Sequence, residues 1–172
     1  MRKIIQFLLL SAMMHVFANK LCAQSLPKVL AFGNFTYANP YNTDFKNHYN
    51  NGVGFEVGAG IGFKKTIFIG SLGYMNYTGS GNTSNLKVMP VKVGVREYLI
   101  GKLFVNGNIG LAIQSSDNIS GSSANTFLYE VGAGVKVIKI LELGLAYTGW
   151  KQANTSSAAN SVLFKVGFSI KI

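Results

Sequence analysis

Charged residues are scarce in this sequence, and acidic residues are the scarcest. Only 13% of the 172 residues are charged, with 16 lysines and arginines against 6 aspartates and glutamates. About a quarter of the residues of an average soluble domain are charged, so the composition argues against such a domain. A hydrophobic fraction of 48% argues equally against disorder. The formal charge of +10 does not predict nucleic-acid binding, because the basic residues are scattered singly along the chain.

Cysteine and histidine are almost absent. The one cysteine, Cys22, lies in the N-terminal leader described next, and His48 is the one histidine beyond that leader. A mature chain without cysteine has no disulfide and no thiol chemistry. One histidine without a cysteine makes a poor transition-metal site. We therefore predict no cofactor and no metal.

The first 23 residues have the pattern of a cleaved signal peptide. Arg2 and Lys3 form the positive start, and an apolar stretch follows over residues 4–18. Cleavage is predicted after Ala23, with Ala18 as the alternative. The sequence thus divides into a signal peptide over 1–23 and one mature domain over 24–172.

Long apolar runs and helical periodicity are both missing from the mature chain. No segment reaches the roughly 18 apolar residues that a membrane-spanning helix needs. The chain instead alternates with period two in segments of about ten residues, which is the pattern of β-strands. Eight strands are predicted: Lys28–Ala38, Gly52–Phe63, Ile67–Thr78, Leu86–Leu99, Leu103–Gln114, Thr126–Val137, Leu141–Trp150 and Ser161–Ile172.

The predicted connections alternate between long and short without exception. The long, polar ones are Asn39–Asn51, Gly79–Asn85, Ser115–Asn125 and Lys151–Asn160, and the short ones begin at Lys64, Ile100 and Ile138. Outer-membrane barrels have short periplasmic turns and longer outer loops. The pattern predicts an all-β fold, an eight-stranded antiparallel up-and-down transmembrane β-barrel, with both ends of the mature chain on the periplasmic side.

The two faces of the predicted strands differ in a way that favours a membrane. In the second strand one face carries Val53, Phe55 and Val57, while the other carries glycines and Glu56. Glycines with isolated charges cannot form the highly charged surface of a soluble barrel, but they suit a narrow lumen. Aromatic residues near both strand ends predict two interfacial belts: Tyr37, Tyr77, Tyr129, Tyr147 and Trp150 at the loops, and Phe63, Phe68, Tyr98, Phe104 and Phe168 at the turns.

The charges on the predicted lumen face fall into two groups. Glutamate and lysine alternate on every second strand at similar depth, in the order Glu56, Lys92, Glu130, Lys165. We interpret these four as an ion-pair ring that plugs the barrel, although independent polar fillers of a wet lumen would give the same pattern. A second group near the periplasmic end has excess positive charge and contains Arg96, Lys136, Glu142 and Lys171.

The first long loop is rich in aromatic residues. Tyr41, Phe45 and Tyr49 flank His48 there, and together these four are a candidate surface-binding loop. A loop that folds over the barrel mouth and packs on itself is the alternative interpretation. His48 with Asp44 could also form a lipid-modifying site, but a solvated histidine is the simpler interpretation.

Two strands share a glycine-rich motif. Glu56-Val-Gly-Ala-Gly-Ile and Glu130-Val-Gly-Ala-Gly-Val, together with the leader and the eight alternating segments, resemble the outer-membrane β-barrel domain family of small OmpA/OmpX-like and PorT-like barrels. The resemblance implies a bacterial outer-membrane location.

The sequence predicts a small barrel with a structural, membrane-stabilising or surface-interaction role and no catalysis. Its expected partners are outer-membrane lipid and lipopolysaccharide, and the barrel-assembly machinery during biogenesis. The extracellular ligand is not specified by the sequence. The alternatives are a lipid-modifying barrel enzyme with a loop site around His48 and a narrow solute pore.

Overall fold

The computed structural model describes residues 26–116, 124–152 and 158–172. The predicted signal peptide and its cleavage site lie outside these residues. Eight antiparallel strands form a closed barrel in the order of the sequence, which confirms the predicted fold class. Their bounds are β1 Lys28–Pro40, β2 Tyr49–Phe63, β3 Thr66–Gly79, β4 Leu86–Tyr98, β5 Leu103–Ser116, β6 Ala124–Lys136, β7 Leu141–Lys151 and β8 Ala158–Lys171. No helix among the described residues has the length and apolarity to cross a membrane.

The barrel closes where the first strand pairs with the last. Leu30 lies opposite Lys171 and Pro40 opposite Ser161. Beyond this ladder, Val29 and Ile172 exchange both backbone hydrogen bonds, at 2.8 and 2.9 Å. Closure gives each of the eight described strands a partner on both sides, which is the condition for β-structure in lipid.

The connections lie at two ends of the barrel, which we call the loop end and the turn end. At the turn end β2 and β3 are joined by two residues, and the other two turns span 99–102 and 137–140. At the loop end a six-residue helix, α1, occupies Thr43–His48. The predicted loop Asn39–Asn51 is wrong at both ends, because β1 continues to Pro40 and β2 already begins at Tyr49, so the connection spans residues 41–48. β2 pairs with β3 up to Tyr49, which lies opposite Gly79, although the register of this pairing shifts between Tyr49 and Gly52.

The barrel is apolar outside and charged inside. Val93, Phe127 and Val131 are 61%, 61% and 64% exposed on the outer face, whereas Lys92 and Glu130 are 4% and 2% exposed in the lumen. A water-soluble barrel has the opposite arrangement. The exposed apolar side chains form a band of the kind that faces lipid in membrane barrels.

The predicted aromatic belts are wrong for four residues. Tyr37, Tyr129 and the three phenylalanines Phe63, Phe68 and Phe168 are exposed on the outer face, as predicted. Four others are buried in the lumen: Tyr77, Tyr98, Phe104 and Trp150. Burial is possible because the narrow barrel provides glycines on which inward rings can pack, as described below.

Candidate functional site

The centre of the lumen is crossed by a closed cycle of four ion pairs. Four strands each contribute one residue: Glu56 from β2, Lys92 from β4, Glu130 from β6 and Lys165 from β8. Side chains alternate between the two faces of a strand, and these four lie on the buried lumen face. Lys92 Nζ lies 3.0 Å from Glu56 and 2.7 Å from Glu130. Lys165 Nζ lies 2.8 Å from Glu56 and 2.7 Å from Glu130. Each charge therefore has two partners of opposite sign. We call these four residues the ion-pair ring.

The ion-pair ring is electrically neutral and almost fully buried. Its two lysines and two glutamates have side chains that are 2–12% exposed. The Asn108 amide donates a further hydrogen bond of 3.0 Å to Glu130. Removing charges from water is costly unless each is paired and its remaining hydrogen-bonding capacity is satisfied. In the cycle each carboxylate is bound by two lysines, whereas an isolated pair would supply one.

The second predicted group is split by the structure. Arg96 Nη1 lies 3.0 Å from a Glu142 oxygen and Lys136 Nζ lies 3.7 Å from the other, while the Ser169 hydroxyl also donates to Glu142. In the described part of the chain Lys171 is not paired with Glu142. Its Nζ lies instead 4.1 Å from the centroid of the Tyr98 ring, as a cation–π contact.

Arg96 is also sandwiched between two aromatic rings. Its guanidinium carbon lies 4.9 Å from the centre of the Phe32 ring and 4.3 Å from that of Phe104. A planar guanidinium both stacks on rings and binds a carboxylate. Arg96 therefore links the charged and aromatic parts of the lumen near the turn end.

Inward aromatic rings pack on glycines of the neighbouring strand. A Cβ at Gly52 would lie 2.8 Å from the Tyr77 ring, and one at Gly58 or Gly134 would overlap the end of the Phe32 or Phe104 ring. In each case the ring and the glycine are direct partners in the strand ladder: Phe32 with Gly58, Tyr77 with Gly52, and Phe104 with Gly134. The glycine-rich lumen face thus provides the space for these rings.

The loop end of the lumen is closed by an aromatic cap. Phe45 of α1 is 0% exposed, and its ring centroid lies 5.0 Å from Tyr49, 5.1 Å from Tyr77 and 5.7 Å from Trp150. We call these four residues the aromatic cap. The prediction of an exposed aromatic surface is therefore wrong for Phe45 and Tyr49, because the helix places its apolar face over the mouth. Phe45 and Tyr49 instead fit the alternative interpretation, in which the loop folds over the barrel mouth.

The other two residues of the candidate surface loop are exposed. Tyr41 is 69% exposed and contacts the Tyr147 ring edge-on at 6.2 Å, so it extends the outward tyrosines of β6 and β7. His48 Nδ1 lies 2.8 Å from the backbone carbonyl oxygen of Asp44. The structure thus places the imidazole against the backbone of α1.

Little space remains in the lumen. A cavity of about 30 Å³ lies between the aromatic cap and the ion-pair ring, and one of about 20 Å³ lies between the ring and Arg96. Such volumes hold a water molecule or two. Among the described residues no group of three or more His, Cys, Asp or Glu is arranged to hold a metal ion.

The sequence did not single out Asn108 or Ser169 as partners of the lumen glutamates. Both have the inward parity of their strands, and the ladder places Asn108 directly opposite Glu130. The same signal was available for the misassigned aromatic residues, because side chains an even number of residues apart on a strand share a face. Tyr98 is two residues from the inward Arg96, and Phe104 is four from the inward Asn108.

No known protein family and no curated protein matches the chain in sequence. Solved structures do match. The outer membrane protein Ail of Yersinia pestis in a nanodisc is 15% identical, with a TM-score of 0.57 over 82% of this chain and 99% of that one. A de novo designed transmembrane β-barrel is 17% identical, with a TM-score of 0.50 over 86% and 98%.

A crystal structure of Ail in complex with the heparin analogue sucrose octasulfate is also similar, with 15% identity and a TM-score of 0.53 over 84% of this chain and 97% of that one. At this level of identity the comparisons concern the fold alone. The chain has the fold of a small transmembrane β-barrel of the outer-membrane type.

Proposed function

We propose that this chain resides in a bacterial outer membrane and acts there as a closed barrel, with a structural, membrane-stabilising or surface-interaction role and without catalysis. The exposed apolar band and the fold shared with Ail support the membrane location. The observation that carries the proposal is the filled lumen. The ion-pair ring, the Arg96–Glu142 pair and the aromatic cap obstruct it at three depths.

The filled lumen argues against a solute pore. Eight strands enclose an interior just wide enough for side chains, and here the two cavities beside the ion-pair ring are of water size. A solute would have to displace side chains that hold each other through paired charges. We expect the purified barrel to show no stepwise conductance in planar bilayers, next to a larger porin as the positive control. Reproducible conductance steps from the folded protein would overturn the proposal of a closed barrel.

The position of His48 supports a non-catalytic loop. Its Nδ1 contacts a main-chain carbonyl within α1, a contact that holds the end of a short helix. We expect lipid A from cells with His48→Ala to have the same mass spectrum as lipid A from wild-type cells. A mass difference between the two would revive the lipid-modifying alternative.

The outward tyrosines at the loop end support lipid and lipopolysaccharide as partners. Tyr129 and Tyr147 have ring centroids 6.3 Å apart, and Tyr41 joins them from the loop. Tyrosines with an apolar ring and a polar tip are favoured where acyl chains meet headgroups. Ail was crystallised in complex with a heparin analogue. By analogy, the surface-interaction role proposed for this chain includes the binding of a ligand at the loop end.

A further inference from the structure

Five lysines surround the turn end of the barrel. Lys28 is the first residue of β1, and the turns contribute the others: Lys64, Lys65, Lys102 and Lys139. The four turn lysines are exposed and Lys28 is half-buried. We call these five residues the lysine collar.

The lysine collar is held in place by a relay of hydrogen bonds. Lys28 Nζ donates to the Lys64 carbonyl at 3.0 Å. Lys65 Nζ donates to the carbonyl of Leu99 at 3.0 Å, and Lys102 Nζ to that of Val137 at 3.1 Å. Each of these three lysines thus reaches the next turn in the same direction around the barrel. An ammonium group has three donors, so two on each remain for another acceptor.

Acidic residues do not neutralise the lysine collar. In the described part of the chain the acids near the turn end are Glu97 and Glu142. Glu142 is buried in the lumen with Arg96. Glu97 lies on the outer side and keeps its charge beside the Thr66 hydroxyl, so one carboxylate faces five lysines. The rim therefore carries excess positive charge, which attracts anions.

Two of the three turns, 99–102 and 137–140, carry apolar side chains beside their lysines. Ile100 is 80% exposed, Ile138 54% and Ile140 47%, and Ile172 at the chain end is 84% exposed. These side chains continue the apolar band of the outer wall to the end of the barrel. Isoleucines beside lysines suit the boundary between acyl chains and headgroups, where a lysine extends its ammonium group toward the phosphates.

We propose that the lysine collar binds the anionic headgroups of phospholipids in the leaflet around the turn end. The apolar turns lie at the level of the glycerol backbone, and the ammonium groups contact lipid phosphates. This inference rests on membrane insertion, and it does not depend on the lack of conductance or catalysis proposed above. Its failure would therefore leave the closed barrel intact.

The test compares two triple variants with the same change in charge. The collar variant is Lys65→Gln/Lys102→Gln/Lys139→Gln, and the control at the loop end is Lys46→Gln/Lys87→Gln/Lys151→Gln. Each protein is reconstituted in phosphatidylcholine with spin-labelled phosphatidylglycerol or phosphatidylcholine, and electron paramagnetic resonance measures the fraction of label immobilised by the barrel. Slower gel migration after boiling verifies that each variant is folded.

The wild type should favour phosphatidylglycerol by about two- to fivefold. The collar variant should lose most of that preference and the loop-end control should keep it. Salt at about 0.5 M should weaken the wild-type preference by screening. If the collar variant does not fold, the arginine triple variant at the same positions should keep the preference. A wild type without preference, or equal loss in both glutamine variants, would overturn the proposal.

Discussion

At the scale of single residues, the ion-pair ring is a balanced system. Each member has two partners of opposite charge, so the loss of one member leaves its two neighbours with half of their pairing. Because the side chains are buried, the remaining charge cannot be solvated without opening the lumen. The stability of the barrel should therefore depend on matched numbers of acids and bases more than on any one pair.

This dependence predicts the result of a double-mutant cycle. Glu130→Gln and Lys165→Met should each lower the free energy of unfolding by about 3–5 kcal/mol, because each leaves a buried charge unmatched. The double variant should lose less than the sum, since Glu56 and Lys92 remain a neutral pair at 3.0 Å. The measurement is urea unfolding in lipid vesicles, followed by the fluorescence of Trp150.

Glu97→Gln is the control for this cycle, because Glu97 lies outside the lumen and retains Thr66 as a partner. It should change the unfolding midpoint little. Unchanged midpoints for both single lumen variants would reduce the ion-pair ring to independent lumen fillers.

Some of these residue positions could be predicted from the sequence and others could not. The alternation of glutamate and lysine on every second strand was visible in the strand pattern, because parity and depth follow from counting. The role of Lys171 was not, since its distance from Glu142 depends on the register of β7 and β8, which places Glu142 opposite Gly167. The inward rings of Tyr77 and Trp150 were misassigned because aromatic residues are frequent on both faces of membrane strands.

At the scale of elements, α1 converts the first loop into part of the lumen. Its six residues span less than two turns, too few for a periodic pattern in the sequence. Isolated helices of this length are unstable in water, so α1 depends on the burial of Phe45 against the barrel rim. This explains why the sequence left the choice between an exposed loop and a folded cover open.

The dependence of α1 on Phe45 can be tested through the one tryptophan of the chain. Phe45→Ala removes the ring that lies 5.7 Å from Trp150, so water should reach the indole. We expect a red-shifted emission and stronger quenching by acrylamide in the folded variant, together with a loss of about 3–5 kcal/mol of stability.

Tyr41→Ala is the matched control for the aromatic cap, because Tyr41 lies in the same loop but contacts Tyr147 on the outer side. Its tryptophan emission should remain that of the wild type. Equal quenching of the wild type and the Phe45 variant would show that the aromatic cap does not shield the lumen.

At the scale of the whole molecule, the alternation of long and short connections was the strongest signal in the sequence. It depends only on counting residues between alternating segments, and the structure places the short turns at one end. The ends of the strands were less predictable, because β2 and β8 extend beyond the apolar segments into polar residues such as Asn50 and Asn160. Strands pair there through backbone hydrogen bonds, which polar side chains permit as well as apolar ones, so the alternation of side chains does not mark the strand ends.

The orientation of the barrel in the cell remains a prediction. We expect the loop end outside, so a cysteine at the exposed loop position Asn82 should react with an impermeant maleimide added to intact cells. A cysteine at Lys139 in the turn end should react only after lysis. Both variants should migrate more slowly after boiling, as a closed barrel keeps its backbone pairing until heated. Labelling of the Lys139 variant alone in intact cells would invert the orientation.

The ion-pair ring draws on alternate strands, and its last member, Lys165, lies on the last strand. Until β8 docks, Glu56 and Glu130 share a single lysine, and the sheet has two open edges at β1 and β7. The arrival of one strand therefore completes the backbone pairing and neutralises the lumen in the same event. A chain interrupted before β8 would have an unbalanced carboxylate inside and unpaired backbone outside, so it has no stable intermediate closure. The pairing of β8 with β1 and β7 is therefore the step that closes the barrel, and the lumen charges are balanced only once it is complete.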